Sequence, residues 1–468
     1  MTHSPIAPTT PTGAPGFSRP VSVAERLAGS LARYLRAPLP VRLRAWDGSE
    51  AGPEGAPVVV LRSRRALRRL LWQPGELGLA EAYIAGELDI DGDLADGLRA
   101  VWGWARERGP GGLPRPRPGD LAEAAATALR LGVLGPRPPA PRAARAELSG
   151  VRHSSARDRA AISHHYDLSN DFYALLLDDS MAYSCGYWTR PDDPAYGLAG
   201  AQRDKLDLIC RKLGLTEGAR LLDVGCGWGS LSLYAAREFR ARVTAVTLSA
   251  RQRDFVADRI AREGLADRVE VELRHYRDIE GGGYDAVSTI EMGEHVGDAE
   301  YPAFAAQLYG LLRPKGRLLV QQMSRGADAP GGGAFIETYI APDMHMRPVG
   351  NTVDLLEGAG LEVRSVEALR EHYPRTIAAW HRRLEERWDA VTELVGEPTA
   401  RVWRLYLVGS GLAFEERRMG VDQILAVRPT RSGGTGLPPV PVDPVPDRPV
   451  PVPVPFPAPA RPGAEERP

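Results

Sequence analysis

The sequence predicts an α/β fold, a doubly wound and mostly parallel sheet, with a small N-terminal α+β domain in front of it. Three observations predict this. Residues 219–239, ARLLDVGCGWGSLSLYAAREF, read as a buried strand, a Gly-rich turn and an amphipathic helix. Strand and helix patterns then alternate through RARVTAVTLS, ARQRDFVADRIAREG, RVEVELRHYRD, GYDAVSTIEM and KGRLLVQQMS, the order that builds parallel sheets from crossover helices. Composition agrees: 43% hydrophobic and 25% charged residues are ordinary for a water-soluble globular chain, and 468 residues exceed one compact core.

Taken in order, residues 1–20 are rich in Pro, Thr and Gly and are expected to be disordered. Residues 21–106 form the small domain: VRLRAWDGSE and APVVVLRS alternate like short strands, while RALRRLLW and LADGLRAVWGW have helical spacing. Residues 107–150 are Pro- and Arg-rich around an Ala/Leu helical patch and read as a linker. The doubly wound domain is expected over 151–430, and the Pro-rich tail, 431–468, is expected to be extended or disordered.

Charge and cysteines set further bounds. With 59 basic and 60 acidic side chains the net charge is −1, so attraction to an anionic surface must come from local clusters. One such cluster is LRSRRALRRLLW (61–72), five arginines beside Leu67, Leu70, Leu71 and Trp72, which suggests contact with anionic lipid; a solvated basic face is an equal alternative. Three cysteines, Cys185, Cys210 and Cys226, form no CxxC pair and no disulfide framework, which fits a reducing cytoplasm. No run of eighteen apolar residues occurs, so any work on lipid is expected from the water side, at the inner face of a membrane.

The Gly-rich turn carries the first chemical signal. Gly225, Gly227 and Gly229 follow Asp223 at the carboxyl end of a strand, where such a sheet places its ligand crevice. The spacing GxGxG does not match the dinucleotide fingerprint, and no Gly-Lys-Ser/Thr follows to cradle phosphate. At the end of the next strand, where a ribose-binding carboxylate is common, stand Thr247, Leu248, Ser249 and Gln252 instead.

Five motifs in order give the turn its context. HHYDLSNDFYALLLDDSMAYSCGYW (164–188), LLDVGCGWGS, VTLSARQ, YRDI and EMGEHVG resemble the cyclopropane-fatty-acyl-phospholipid synthases and their mycolic acid relatives, across about residues 160–428. The likeness extends weakly into LGLAEAYIAGELDIDGDL (77–94). The resemblance implies a Rossmann-like class I methyltransferase fold and S-adenosylmethionine as cofactor. Tyr183, Ser184, Asp223, Gly225, Cys226, Gly227, Gly229, Thr247, Leu248, Ser249, Gln252, Tyr276 and Arg277 would surround that cofactor. It also implies a one-carbon transfer to the cis double bond of a phospholipid acyl chain, with the proton taken by a bound bicarbonate. Glu294 and Tyr373 would hold that anion, with Cys185 contributing its backbone. A dimer assisted by the N-terminal domain is a further implication.

The chemistry explains the demand for such a pocket. An isolated alkene is a poor nucleophile, and its attack on a sulfonium methyl leaves a cation on the acyl chain. Water must be excluded and the alkene held in line. Aromatic faces such as Tyr166, Phe172, Tyr187 and Trp188 could stabilise that cation, although core packing is as good an account of each. Two departures from the family stand out. Gln321 occupies the place of a His, and an amide can donate to an oxyanion but cannot exchange a proton. Ser410 replaces a cysteine, against a covalent thiol route. We associate Gln321 with a methylene-branched rather than a cyclopropane product.

Other readings compete. His164, His165, Cys185 and Cys226 have no standard zinc spacing. His295 beside Glu294 reads as an orienting or a structural histidine, and His345 as a loop imidazole. A nucleic-acid methyltransferase would need a target-base motif where this chain has STIEMGEHVG, so no nucleic-acid partner is expected. A degenerate lipid-binding homologue remains the non-enzymatic alternative.

Overall fold

The computed structural model describes residues 21–108, 117–143, 145, 150, 157, 169–326 and 332–438. The expectations for residues 1–20 and 439–468, and for His164, His165 and Tyr166, lie outside these. Two compact units emerge: one from residues up to Arg68 together with Glu87–Arg137, the other from Arg69–Gly86 together with the chain from Pro138 onward.

The first unit carries a four-stranded sheet in the order β2-β1-β3-β4, formed by Arg42–Arg44 (β1), Glu50–Ala51 (β2), Val58–Leu61 (β3) and Leu88–Asp91 (β4). Helix α1, Val23–Leu35, begins with a capping box in which Ser22 and Glu25 satisfy each other's backbone amides. The predicted linker is partly built structure. Pro118–Leu131 is a helix that packs on α1, and Ser30 and Thr127 share a hydroxyl contact of 3.1 Å. Its Ala and Leu residues provide an apolar stripe, which Pro at the first turn helps to start.

The arginine cluster of 61–72 is largely occupied. Arg62 pairs with Asp89, Arg65 with Glu87, and Arg69 with the buried Glu81, while Arg68 donates to the carbonyls of Val133 and Leu134. Leu71 and Trp72 remain exposed, at 52% and 56%. Sequence spacing could show the charges but not which carboxylates would meet them.

The second unit carries the doubly wound sheet. Its order is β10-β11-β9-β8-β5-β6-β7, with β5 at Arg220–Val224, β6 at Arg242–Thr247, β7 at Val269–Leu273, β8 at Tyr284–Ile290, β9 at Leu312–Ser324, β10 at Glu362–Ala368 and β11 at Gly420–Val427. Strands β5 to β9 are mutually parallel where they pair, and β10 and β11 run antiparallel at one edge. One face is covered by the apolar sides of Leu198–Leu213, Ser230–Glu238 and Ala250–Glu263. The other is covered by Tyr301–Leu311 and Val349–Gly358.

A third cluster, rich in aromatics, gathers Phe172, Tyr173, Trp228, Trp380, Trp403 and Phe414. It joins the helices Asn170–Leu176, His372–Glu386 and Glu397–Glu415. Helix Glu76–Ile84 packs on the last of these, so this stretch belongs with the large sheet and not with the small domain predicted for it. Among the described residues no helix is long and apolar enough to cross a membrane.

Candidate active site

The strand order reverses direction at β5, which lies between β8 and β6, so a crevice opens beyond the carboxyl ends of β5 and β8. The Gly-rich turn forms one wall. The amides of Gly225 and Cys226 both donate to the carbonyl of Val246, at 2.9 and 3.0 Å, which pins the turn to the end of β6. Gly225 has φ +82°, and a Cβ there would lie 2.9 Å from Met292 Cγ. Gly227, at φ +56°, has no atom within 4 Å of its would-be Cβ. Asp223 is buried beneath the turn and accepts from the hydroxyls of Ser232 (2.7 Å) and Ser288 (2.9 Å). It ties β5 to β8 and to the helix that follows the turn.

The cleft above holds about 950 Å³ of space, part of it continuous with solvent. Tyr183, Ser184, Asp223, Gly225, Cys226, Gly227, Thr247, Leu248, Gln252 and Tyr276 line it as the sequence predicted. Thr247 donates to Gln252 Oε1 across 2.7 Å, so the hydroxyl and the amide form one hydrogen-bonded edge. Gly229 and Ser249 stand one step back, as the N-caps of helices Ser230–Glu238 and Ala250–Glu263. Arg277 is directed to Glu300 and over the ring of Tyr276.

The reacting end contains a residue that sequence reasoning missed. Glu291 follows β8 directly, lines the cleft, and sits in the left-handed region at φ +51°. For a non-glycine side chain this is a strained backbone that surrounding structure must hold, and such strain gathers at functional sites. Three donors converge on its carboxylate. Cys185 N–H reaches Oε1 at 2.9 Å, Gln321 Nε2 reaches Oε1 at 2.8 Å, and the Tyr373 hydroxyl reaches Oε2 at 2.5 Å. Three of the four predicted catalytic residues therefore meet, but around Glu291.

Glu294 is set apart from them. The chain makes a 3-10 turn over Gly293–His295, which directs Glu294 into the core, where Oε1 accepts from Met323 N–H at 2.6 Å. Its carboxyl is fully buried, and desolvation together with the nearby charge of Glu291 raises its pKa to about 8. With that pKa it is mostly a neutral acid near pH 7.

The expected bicarbonate does not fit this arrangement. Cys185 N–H, Gln321 and Tyr373 are already engaged by a carboxylate belonging to the chain.

Burial raises the pKa of Glu291, and the three donors and the cation of Lys205 oppose that rise. Burial prevails over these, so the net shift is upward. Lys205 is itself buried, lines the cleft, and donates to Ser184 Oγ at 2.9 Å. Nothing in its helical surroundings in the sequence distinguishes it from a surface lysine. The Cys185 thiol is pushed well above its ordinary range by burial and by Glu291, so the residue acts through its amide.

The aromatic expectations are redistributed. Phe172 packs edge-on against Trp403, Tyr187 lies over His372, and Trp188 donates to Thr376; none of the three lines the cleft. Tyr183 and Trp228 do line it. The hydroxyl of Tyr183 meets that of Tyr406 at 3.1 Å, and Trp228 is fixed by a bond to Asn170. Cys185 and Cys226 are free and buried, and no group of described residues could hold a metal ion.

Comparison with known proteins gives this geometry its family. The model for mycolic acid cyclopropane synthetases matches residues 153–424. The chain belongs to that family. It is 36% identical over 86% of its length to a "Probable fatty acid methyltransferase" of Pseudomonas putida, covering 95% of that protein. It is 38% identical over 85% of its length to a protein of the same description from Mycobacterium tuberculosis, covering 93% of it. A tuberculostearic acid methyltransferase of M. tuberculosis is 32% identical over 86% of the chain and 91% of that protein. Among solved structures, a mycolic acid cyclopropane synthase complexed with S-adenosylhomocysteine superposes with a TM-score of 0.54 at 29% identity, covering 57% of this chain and 97% of that one.

This member of the family is an S-adenosylmethionine-dependent methyltransferase with a class I fold. The cleft fits the cofactor on its own evidence: a glycine turn open at Gly227, a hydroxyl–amide edge at Thr247 and Gln252, and Tyr276 alongside.

Proposed function

We propose that this enzyme transfers a one-carbon unit from S-adenosylmethionine to the cis double bond of an unsaturated fatty acyl chain, with Glu291 as the proton acceptor. The observation that carries the reading is the Glu291 carboxylate, held by three donors at the edge of the cofactor cleft. When bound, S-adenosylmethionine supplies an electrophilic methyl group. The alkene's π pair forms the new carbon–carbon bond while the sulfur–methyl pair returns to sulfur, and a cation is left on the neighbouring acyl carbon. Glu291 then takes one proton, and the released C–H pair either closes a cyclopropane or, after a hydride shift, forms an exocyclic methylene. Oε1 holds two donors and Oε2 one, so Oε2 retains lone-pair capacity for that proton. Water is excluded by the aromatic cluster of Tyr173, Tyr183, Trp228 and Trp380, whose rings stand 4.4 to 5.6 Å apart in successive contacts.

Two features support an acyl chain presented at a membrane surface; we take its carrier to be a phospholipid. Leu71 and Trp72 are exposed on Arg64–Trp72, and Leu79 is exposed on the next helix. An apolar contact of this kind replaces the anionic attraction that the arginine run suggested. The methylene outcome is the one we associate with Gln321, which stands where the family has a His. The test is expression in a host with a cis-monounsaturated lipid pool, followed by mass spectrometry of fatty acid methyl esters. Methylene-branched esters are expected, cyclopropane esters alone would reassign the product, and unchanged lipids would refute the substrate.

A further inference from the structure

We infer that Lys212, remote from the cleft, is a positioning residue that acts through Gln423 to fix which face of the Gln321 amide meets Glu291. The inference rests on the reading of Glu291 as the proton acceptor. It comes from a polar row that crosses the sheet. Glu367 on β10 is in register with Gln423 on β11, Gln423 with Gln321 on β9, and Gln321 with Ile290 on β8, the residue before Glu291. Strands β10, β11 and β9 each contribute one polar side chain to a line that ends at the Glu291 carboxylate, just beyond β8.

The line has a direction. Lys212, at the end of helix Leu198–Leu213, can only donate, and its Nζ is shared between the Glu367 carboxylate and Gln423 Oε1, the latter at 2.7 Å. With its oxygen so engaged, Gln423 turns Nε2 toward Gln321 and donates to Oε1 at 2.9 Å. Gln321 is then left with its own Nε2 facing Glu291 Oε1, at 2.8 Å. Both glutamines are fully buried, at 0% exposure, so water cannot substitute for a misplaced partner. An amide can present either face. Without the ammonium at the far end, both amides can rotate, and Gln321 would offer its carbonyl to Glu291. That arrangement favours the protonated acid and disables the base.

Other charges around the two ends are part of the account. Glu291 is faced by Lys205, Glu294, Cys185, Tyr373 and Tyr406, and Glu367 by Lys212, Tyr187 and His372. None of these contacts the Gln321–Gln423 pair apart from Glu291 and Lys212.

The experiment compares pH–rate profiles of Gln423→Glu, Lys212→Met, Lys212→Arg and Glu291→Gln with the intact enzyme, alongside melting temperature and KM for S-adenosylmethionine. Gln423→Glu keeps the volume but accepts from both neighbours, which turns the Gln321 N–H away from Glu291. Its acid limb is expected to move up by about one pH unit, a loss on the order of tenfold on the acid side, with KM unchanged. Lys212→Met should move the limb in the same direction, and serves if Gln423→Glu fails to fold. Lys212→Arg should restore it. An unmoved limb in Lys212→Met, with Glu291→Gln inactive, overturns the inference and leaves the proposed function standing. So does a uniform loss at every pH that Lys212→Arg does not repair. An active Glu291→Gln overturns the reading beneath it.

Discussion

The hydroxyl of Tyr373 lies 2.5 Å from Glu291 Oε2, joining the first turn of helix His372–Glu386 to the residue that follows β8. The contact ties a strained backbone position to the aromatic helical layer, and it gives the carboxylate its only described donor on the oxygen left for proton transfer.

Replacing Glu291 with Gln preserves shape and removes the base. Product formation is expected to fall by about 10²–10⁴-fold, the usual contribution of a positioned general base. Cofactor affinity, measured by calorimetry, should change little. Glu294→Gln should keep most of the activity, because Glu294 is already a neutral acid at pH 7. Equal losses in the two variants would contradict the assignment.

Activity should have an acid limb set by Glu291. The group must be ionised to accept a proton, and burial raises its pKa above the ordinary carboxylate value, so the rate climbs with pH through that raised value. Tyr373→Phe removes one charge-assisted bond worth about 1.5–3 kcal/mol, which corresponds to about one to two pH units. The limb of the variant should therefore shift upward. A kcat–pH profile decides it.

Glu294 makes a separate prediction for stability. Its folded pKa of about 8 exceeds the unfolded value of 4.5, so the folded state binds the proton more tightly. Its stabilising contribution is complete below pH 4.5 and is lost as pH rises toward about 8. Glu294→Gln removes this dependence. The difference in melting temperature between variant and parent should grow in favour of the variant from pH 5 to pH 8, measured by calorimetry.

Gly227→Ala tests the cofactor cradle. The added methyl meets no protein atom within 4 Å, but the left-handed backbone costs an L-residue about 1–2 kcal/mol. A small fall in melting temperature is expected with a rise of about tenfold or more in KM for the cofactor. An unchanged KM would place the cofactor elsewhere.

Much of this architecture was legible in the sequence because it depends on local pattern. The strand–turn–helix at 219–239 and the alternation after it specify the sheet, and ten of the predicted cofactor residues line one cleft. That Glu291 and not Glu294 lines the cleft has a physical cause. EMGEHVG presents two carboxylates three residues apart, and the resemblance pointed to the second. Which one enters the cleft is decided by a positive φ at Glu291 and the 3-10 turn after it, both imposed by tertiary contacts. One general signal could have found Glu291: it stands immediately beyond a central strand, where doubly wound sheets place ligands. Lys205 and Lys212 carried no such signal, since a helix pattern does not reveal which lysine will be buried. The paired arginines of 62–69 show the same limit at the surface.

A base that is covalently part of the chain has a physiological corollary. Its local concentration is fixed at folding and does not follow the dissolved carbon dioxide around the cell. An enzyme so equipped would modify its lipids at the same rate in an aerated, carbonate-poor culture as in a carbonate-rich one. Small planar oxyanions such as nitrate would find no vacancy from which to inhibit it.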